Sequence, residues 1–332
     1  MIKDSLSYNF CFDKFFIFLL RGLSFSFGKR QRTILANENK EPVSAFMLDE
    51  ILRKASSEGW AVGHFNVSNL ELLKAVVEAA EDSKAPVMVG TSEGEREWLG
   101  VKSAVALIRS YRQDWPHIFL NADHTKTVDA AKAAFDAGYD SIHFDGSGLS
   151  ISENIRQTRA VVEYVKSRSA NISVEGELGY LRGESRLSGK KVEVDVNDYT
   201  DPEEAAEFAE RTGVDRLAVA IGNIHGINLD EPKLDFDRLK SIKKAVPENV
   251  ALVLHAGSGI ADADIKKAID CGIGNVHIST ELRVLFRKGL ERQLNSNPNE
   301  YALYRLEKEV VETVKDLVRQ KIRLFGSAGR IS

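Results

Sequence analysis

From Met47 onward the chain alternates between two hydrophobic rhythms. Short runs rich in Val, Ile, Leu and Ala alternate with longer stretches whose apolar residues recur at helical spacing. The spacing is clearest in NLELLKAVVEAAEDSKA, where Leu70, Leu73, Val76, Val77 and Ala80 fall on one helical face. The short runs are WAVGHFNV, PVMVGTS, HIFLNAD, DSIHFDGS, NISVEGEL, DRLAVAIG, NVALVLHA and GNVHIST. Helical pattern precedes the first run, separates most of the others, and continues from Glu281 to about Arg323 after the last. A polar stretch from Gly179 to Asp198 interrupts the rhythm after the fifth run. Strands alternating with helices predict a parallel sheet. Eight such units suit a closed α/β barrel, a (β/α)8 TIM barrel with additional C-terminal helices. An open doubly wound sheet is the competing arrangement, but no GxGxxG follows the first run, which weakens a dinucleotide-binding version.

A barrel concentrates function at the C-terminal ends of its strands. The eight predicted strands end at Asn66; at Thr91, Ser92 and Glu93; at Asp123 and His124; at Asp145; at Glu177; at Gly222 to Gly226; at His255 to Gly259; and at His277 to Thr280. One polar strand end would be an ordinary solvated loop. Eight at the same edge point to a site. His124, His225 and His255 form a trio from three different strands, and three protein ligands with one open position is the pattern of catalytic zinc. Asp123 is a candidate proton donor or acceptor beside that metal, or a support for a ligand histidine. Asp145 and Glu177 could take a second metal position or orient ligands. Glu175 shares a face with Glu177 one layer deeper, where a carboxylate needs a partner. Gly257, Ser258 and the following helix, with Ser279 and Thr280 opening the next, are suited to phosphate through backbone N–H groups and helix N-termini.

Composition narrows the class. The chain has 332 residues, 43% hydrophobic and 28% charged, with a net charge of −4, so nothing in it favours nucleic acid. Two cysteines, Cys11 and Cys271, make no disulfide framework, and a reducing, cytoplasmic compartment fits. The apolar run from Phe15 to Leu20 is far too short to span a bilayer. Residues 1–44 are rich in Phe and Ser and show no period; they read as a poorly ordered or non-native extension upstream of a start at Met47. Residues 45–332 then form a single barrel domain.

The segments GHFNVSNLE, PVMVGTSEG, LNADHTKT, FDGS, VEGELG, AVAIGNIHG, LHAGSGI and VHISTEL, in this order, resemble the class II, zinc-dependent fructose-bisphosphate aldolases and their tagatose-bisphosphate relatives. The resemblance implies an aldehyde-lyase of glycolysis and gluconeogenesis, cleaving fructose 1,6-bisphosphate or a close epimer to dihydroxyacetone phosphate and glyceraldehyde 3-phosphate through a zinc-stabilised enediolate. It implies Zn2+ on His124, His225 and His255, with Glu177 and Asp145 at an alternative metal position. Asp123 would handle the proton on the hydroxyl of the bond being cleaved. Asn66 and Ser92 would contact substrate; Gly226, Gly257, Ser258, Ser279 and Thr280 would hold its phosphate near a monovalent cation (Na+ or K+). A homodimer or homotetramer is a family feature.

Three departures bear on substrate. In ELGYLRGESRLSG the acidic candidate for the enolising base is Glu184, one place before the usual position, where Ser185 stands. His277 replaces the strand-eight Asn that contacts substrate. His64 occupies a normally small position. His143 faces the barrel interior by alternation and reads as a hydrogen-bonded core histidine. Arg182, Lys190 and Arg330 are candidates for the second phosphate. The competing functions are an aldolase for a different acceptor aldehyde, a zinc-dependent hydrolase on the same barrel, and a non-catalytic metal-binding scaffold.

Overall fold

The computed structural model describes residues 48–331; the reading of residues 1–44 lies outside them. Helix α1 (Leu48–Glu58) leads into β1 (Val62–Asn66), followed by α2 (Leu70–Ser83), β2 (Val87–Thr91), α3 (Glu93–Leu99), α4 (Val101–Tyr111), β3 (Ile118–Thr125), α5 (Val128–Ala137) and β4 (Ser141–Phe144). The chain continues through α6 (Ile151–Lys166), β5 (Ser173–Leu178), β6 (Gly183–Leu187), α7 (Pro202–Thr212), β7 (Arg216–Val219) and β8 (His225–Ile227). It ends with α8 (Phe236–Ala245), β9 (Ala251–Leu254), α9 (Asp262–Asp270), β10 (Ile273–Ile278), α10 (Thr280–Ser296) and α11 (Leu303–Leu324). Eight parallel strands close in the order β1-β10-β9-β7-β5-β4-β3-β2, as the alternation predicts.

Strand alternation divides the core. Phe65, Val87, Val89, Leu120, Ile142, Val174, Leu217, Leu252 and Val276 face the helix ring and join one continuous apolar cluster. Burying each such side chain stabilises the fold by about 1.5–3 kcal/mol. The inward positions differ by level. Val62, Met88, Phe119 and Ala251 pack with Trp60 and with Leu48, Ile51 and Leu52 of α1 in a second cluster. Towards the C-terminal ends the interior turns polar: His64, Asn121, Ser141, His143, Glu175, Arg216, Asn275 and His277 are all buried. Gly90 makes room for one of them, since a Cβ there would stand 2.1 Å from the His64 ring.

Three segments differ from the periodicity alone. The helical pattern between the second and third runs is two helices, α3 and α4, which meet at Gly100, whose φ of 81° a side chain rarely adopts. The continuous helix predicted from Glu281 to Arg323 breaks between Ser296 and Leu303, because Pro298 has no N–H to donate and disfavours helical backbone at Asn297. The polar stretch 179–198 contains a strand: β6 pairs with β8 outside the barrel.

Candidate active site

At the C-terminal end of the barrel lies a cleft of about 610 Å³. Its walls include Asn66, Ser92, Asp123, His124, Asp145, Glu177, His225, Gly226, His255, Ser258, His277, Ser279 and Thr280. Gly257 and Glu184 stand outside this lining. Gly257 is buried and donates its N–H to the His277 carbonyl at 2.9 Å. Glu184 faces away from the cleft, its carboxylate 3.0 Å from Arg186 Nε, while alternation along β6 turns Ser185 inward.

Asp123 and His124 are adjacent, yet both enter the cleft. The register of β3 against β4 shifts between Ala122 and Thr125, and His124 takes the left-handed region with φ 46°. Such a backbone costs on the order of 1–3 kcal/mol and persists only where surrounding contacts hold it. Ala256, directly after His255, is also left-handed, with φ 58°.

Hydrogen bonds orient the histidines. His124 Nδ1 donates to Asp145 Oδ2 at 3.0 Å, which turns Nε2 into the cleft. His255 Nε2 donates to Glu175 Oε1 at 2.7 Å, leaving the Nδ1 lone pair free. These two ring nitrogens face each other at 3.1 Å. Two imidazoles, each backed by a carboxylate and aiming its second nitrogen at one spot, form the arrangement that holds a divalent metal. The surroundings demand positive charge there: burial opposes an imidazolium, but Asp123, Asp145 and Glu177 outweigh it and lift His124 to about 9. His225 comes from β8, its ring centroid 5.2 Å from that of His124. Burial and His124 push His225 down to about 4, so it is neutral and able to ligate at pH 7. The donor set therefore fits zinc chemically.

Asp145 and Glu177 approach the opposite edge of the His124 ring; Glu177 Oε2 is 3.7 Å from Nδ1. Ligand atoms of His124, Asp145 and Glu177 lie within 4.8 Å of one another, as do those of Asp123, His124, His143 and His255. Asp123 is buried. Its Oδ2 accepts from Asn66 Nδ2 at 2.9 Å, while Oδ1 faces His277 Nδ1 at 3.5 Å and His143 Nδ1 at 3.6 Å. Burial would raise its pKa, but positive charge on His124 leads the groups that hold it well below the usual carboxylate range.

Several residues with work at the site carried little sequence signal. Glu95 Oε2 accepts from Asn66 Nδ2, Ser92 N and Ser92 Oγ, at 3.0, 2.8 and 2.8 Å, fixing both cleft residues. The Ser-x-x-Glu spacing from Ser92 is a helix-start signature that could have found it. Arg283 lines the cleft and donates to the Ser185 carbonyl and hydroxyl at 2.5 and 2.6 Å, tying β6 to α10. Only its place one turn into a helix that opens at the barrel mouth marks it. Gly226 is explained by this closure: a Cβ would stand 2.3 Å from the Glu184 carbonyl. Ser258 Oγ accepts from the N–H groups of Ser279 and Glu281 at 3.3 and 3.2 Å, joining the two loops suited to phosphate. Of the second-phosphate candidates, Arg330 pairs with Glu58 of α1 at 3.2 Å, at the opposite end of the barrel from the cleft. Arg182 is paired with Asp198, and Lys190 is exposed.

Comparison with known proteins decides the family. Residues 47–330 match the family model described as fructose-bisphosphate aldolase class-II. The chain belongs to that family. Its members act on phosphorylated sugars and are generally zinc-dependent lyases, so the chain is an enzyme of the lyase class. Similar aldolases include the sulfofructosephosphate aldolase of Alkalicoccus urumqiensis, 38% identical over 84% of this chain and 96% of that protein. The fructose-bisphosphate aldolase of Geobacillus stearothermophilus is 36% identical over 87% of this chain and 99% of that protein. Among solved structures, the YdjI aldolase from Escherichia coli K12 superposes with a TM-score of 0.71 at 35% identity, covering 86% of this chain and 98% of that one.

Proposed function

We propose that this aldolase reversibly cleaves fructose 1,6-bisphosphate, or a close epimer, to dihydroxyacetone phosphate and glyceraldehyde 3-phosphate, with zinc held by His124, His225 and His255. The observation that carries the reading is the pair of carboxylate-backed imidazoles whose second nitrogens meet at 3.1 Å inside the cleft. A zinc ion bound there supplies a Lewis acid for the ketone oxygen. Asp123, held ionised beside the open face of the cleft, accepts the proton of the substrate hydroxyl as the carbon–carbon bond breaks. Asn66 fixes the Asp123 carboxylate and is itself fixed by Glu95. The Ser258, Ser279 and Thr280 corner, with Gly226 beside it, takes the phosphate of dihydroxyacetone phosphate and would hold a monovalent cation near it. Asp145 and Glu177 offer His124 a second metal position. A cytoplasmic homodimer or homotetramer accompanies this reading; among the described residues no helix is long and apolar enough to cross a membrane.

Glu184 is the proposed enolising base. Because its side chain points away from the cleft in this structure, β6 must turn over for it to replace Ser185 above the substrate. Exchange of the pro-chiral C1 hydrogen of dihydroxyacetone phosphate with solvent is then expected to fall about a hundredfold or more in Glu184→Gln. Exchange at the wild-type rate would remove Glu184 from the mechanism.

The reading as a whole is tested by cleavage of fructose 1,6-bisphosphate by the purified protein. Chelation should abolish activity and added Zn2+ should restore it. Inactivity of the zinc-loaded protein would favour a second reading, an aldolase with a different acceptor aldehyde. That reading draws on His277 in the cleft wall, on the position of Arg330 far from the cleft, and on the similarity to a sulfofructosephosphate aldolase.

A further inference from the structure

Arg216 opens β7 and points into the barrel, where neither its side chain nor that of Glu175 has any exposed surface. A guanidinium in that position loses its hydration, and apolar residues of similar volume would serve stability at least as well. Its contacts show a different use. Nη1 stands 2.6 Å from Glu175 Oε2 and donates to Asn275 Oδ1 at 3.1 Å. Nη2 donates to Asn121 Oδ1 at 3.3 Å and to the Ser141 hydroxyl, and Nε donates to Ser173 Oγ at 3.1 Å. One cation thus bridges β3, β4, β5 and β10 beneath the cleft floor.

Three of these contacts lead on to a histidine, two of them in the cleft wall. With Oε2 of Glu175 held by Arg216, Oε1 is aimed at His255 Nε2, which leaves His255 Nδ1 bare towards His124. With Asn275 Oδ1 accepting from Arg216 and its Nδ2 donating to the Val62 carbonyl at 2.8 Å, the amide has one orientation. His277 Nε2, 3.1 Å from that same oxygen, must then be its N–H tautomer, and Nδ1 faces Asp123 as an acceptor. Likewise Asn121, its oxygen taken by Arg216 and Ser141, can only donate to His64 Nε2, at 3.0 Å.

We propose that Arg216 is a positioning residue of the metal centre, acting through Glu175 on the metal-facing nitrogen of His255 and through Asn275 on the substrate-facing nitrogen of His277. This rests on the reading of His255 as a metal ligand. Carboxylates that orient a ligating histidine set metal affinity by about ten- to a hundredfold. Here the carboxylate is itself oriented by a bidentate-capable cation that a lysine cannot mimic.

The test uses the full chain stripped of metal, with Zn2+ affinity measured by competition against a chromophoric chelator and the ligand field read from the visible bands of bound Co2+. Arg216→Met leaves Glu175 as an unpaired buried charge and should unfold at lower temperature, so the decisive variant is Arg216→Lys, which keeps Glu175 and its charge partner, and Glu175→Gln with Arg216→Met, which removes both charges, marks the loss of the whole relay. The double variant should keep the circular dichroism spectrum of the wild type, bind Zn2+ about ten- to a hundredfold more weakly and shift the Co2+ bands. Arg216→Lys, retaining the charge but not the fork, should fall between it and the wild type. Should the double variant fail to fold, Arg216→Lys decides alone: weakened Zn2+ binding with shifted Co2+ bands supports the proposal. Wild-type Zn2+ affinity and Co2+ bands in any folded variant lacking Arg216 would overturn it. Failure of the wild-type protein itself to bind one Zn2+ tightly would instead overturn the metal reading, and this proposal with it.

Discussion

His124→Ala is expected to lower kcat/KM by at least about a thousandfold, roughly 4 kcal/mol of transition-state stabilisation, and to abolish tight Zn2+ binding. The imidazole contributes one of the two ring nitrogens that meet at 3.1 Å, while Asp145 and Glu177 approach from the other edge of the ring. The fold should survive. The His124 side chain is 21% exposed, so water fills the space, and Asp145 keeps its bonds to the Ser147 N–H and hydroxyl at 3.2 and 2.6 Å. The strained backbone at φ 46° adds about 1 kcal/mol for alanine. Metal titration and steady-state kinetics on the same preparation measure both effects. Retained Zn2+ binding with near-normal turnover would remove His124 from the centre.

Asp123→Asn is expected to lower kcat by about a hundred- to ten-thousandfold while leaving Zn2+ affinity nearly unchanged. The substitution is isosteric, and the site can accommodate the amide. Asp123 Oδ1 faces the Nδ1 atoms of His277 and His143, at 3.5 and 3.6 Å. His277 Nδ1 is an acceptor because Nε2 bonds Asn275, and His143 Nδ1 accepts the His124 N–H at 3.0 Å. An amide N–H placed between these acceptors is welcome, while Asn66 continues to donate to the remaining oxygen. What the variant lacks is an atom able to take the substrate proton. A separation of kcat from metal affinity is therefore the signature. A kcat within threefold of wild type would show that the proton leaves by another route.

Much of the site could be read from strand ends. Once eight parallel strands were placed, polar residues at their C-terminal ends had to share one rim, and the cleft lining contains most of them. Glu184 shows where that logic stops. A loop acid aligned by spacing carries no information about which face of β6 it occupies, and a one-residue offset reverses that face. Arg330 shows the same for a terminal segment, whose position depends on where α11 delivers the chain. His143 reads from its sequence position as a core histidine, and the structure adds that it lies between Asp123 and Glu177, with Nε2 3.2 Å from the Glu177 carboxylate.

The sequence by itself determined the architecture, because strand and helix periodicities are local and their alternation admits few topologies. It also determined the family, because the motifs span the barrel in order. The tertiary structure alone decided the wiring beneath the rim. His124 and His255 are 131 positions apart, and Arg216 lies 95 positions from Asn121 and 59 from Asn275. Tautomer and ligand direction are set by which acceptor each nitrogen meets, and those meetings exist only after barrel closure brings residues from separate strands into one buried layer.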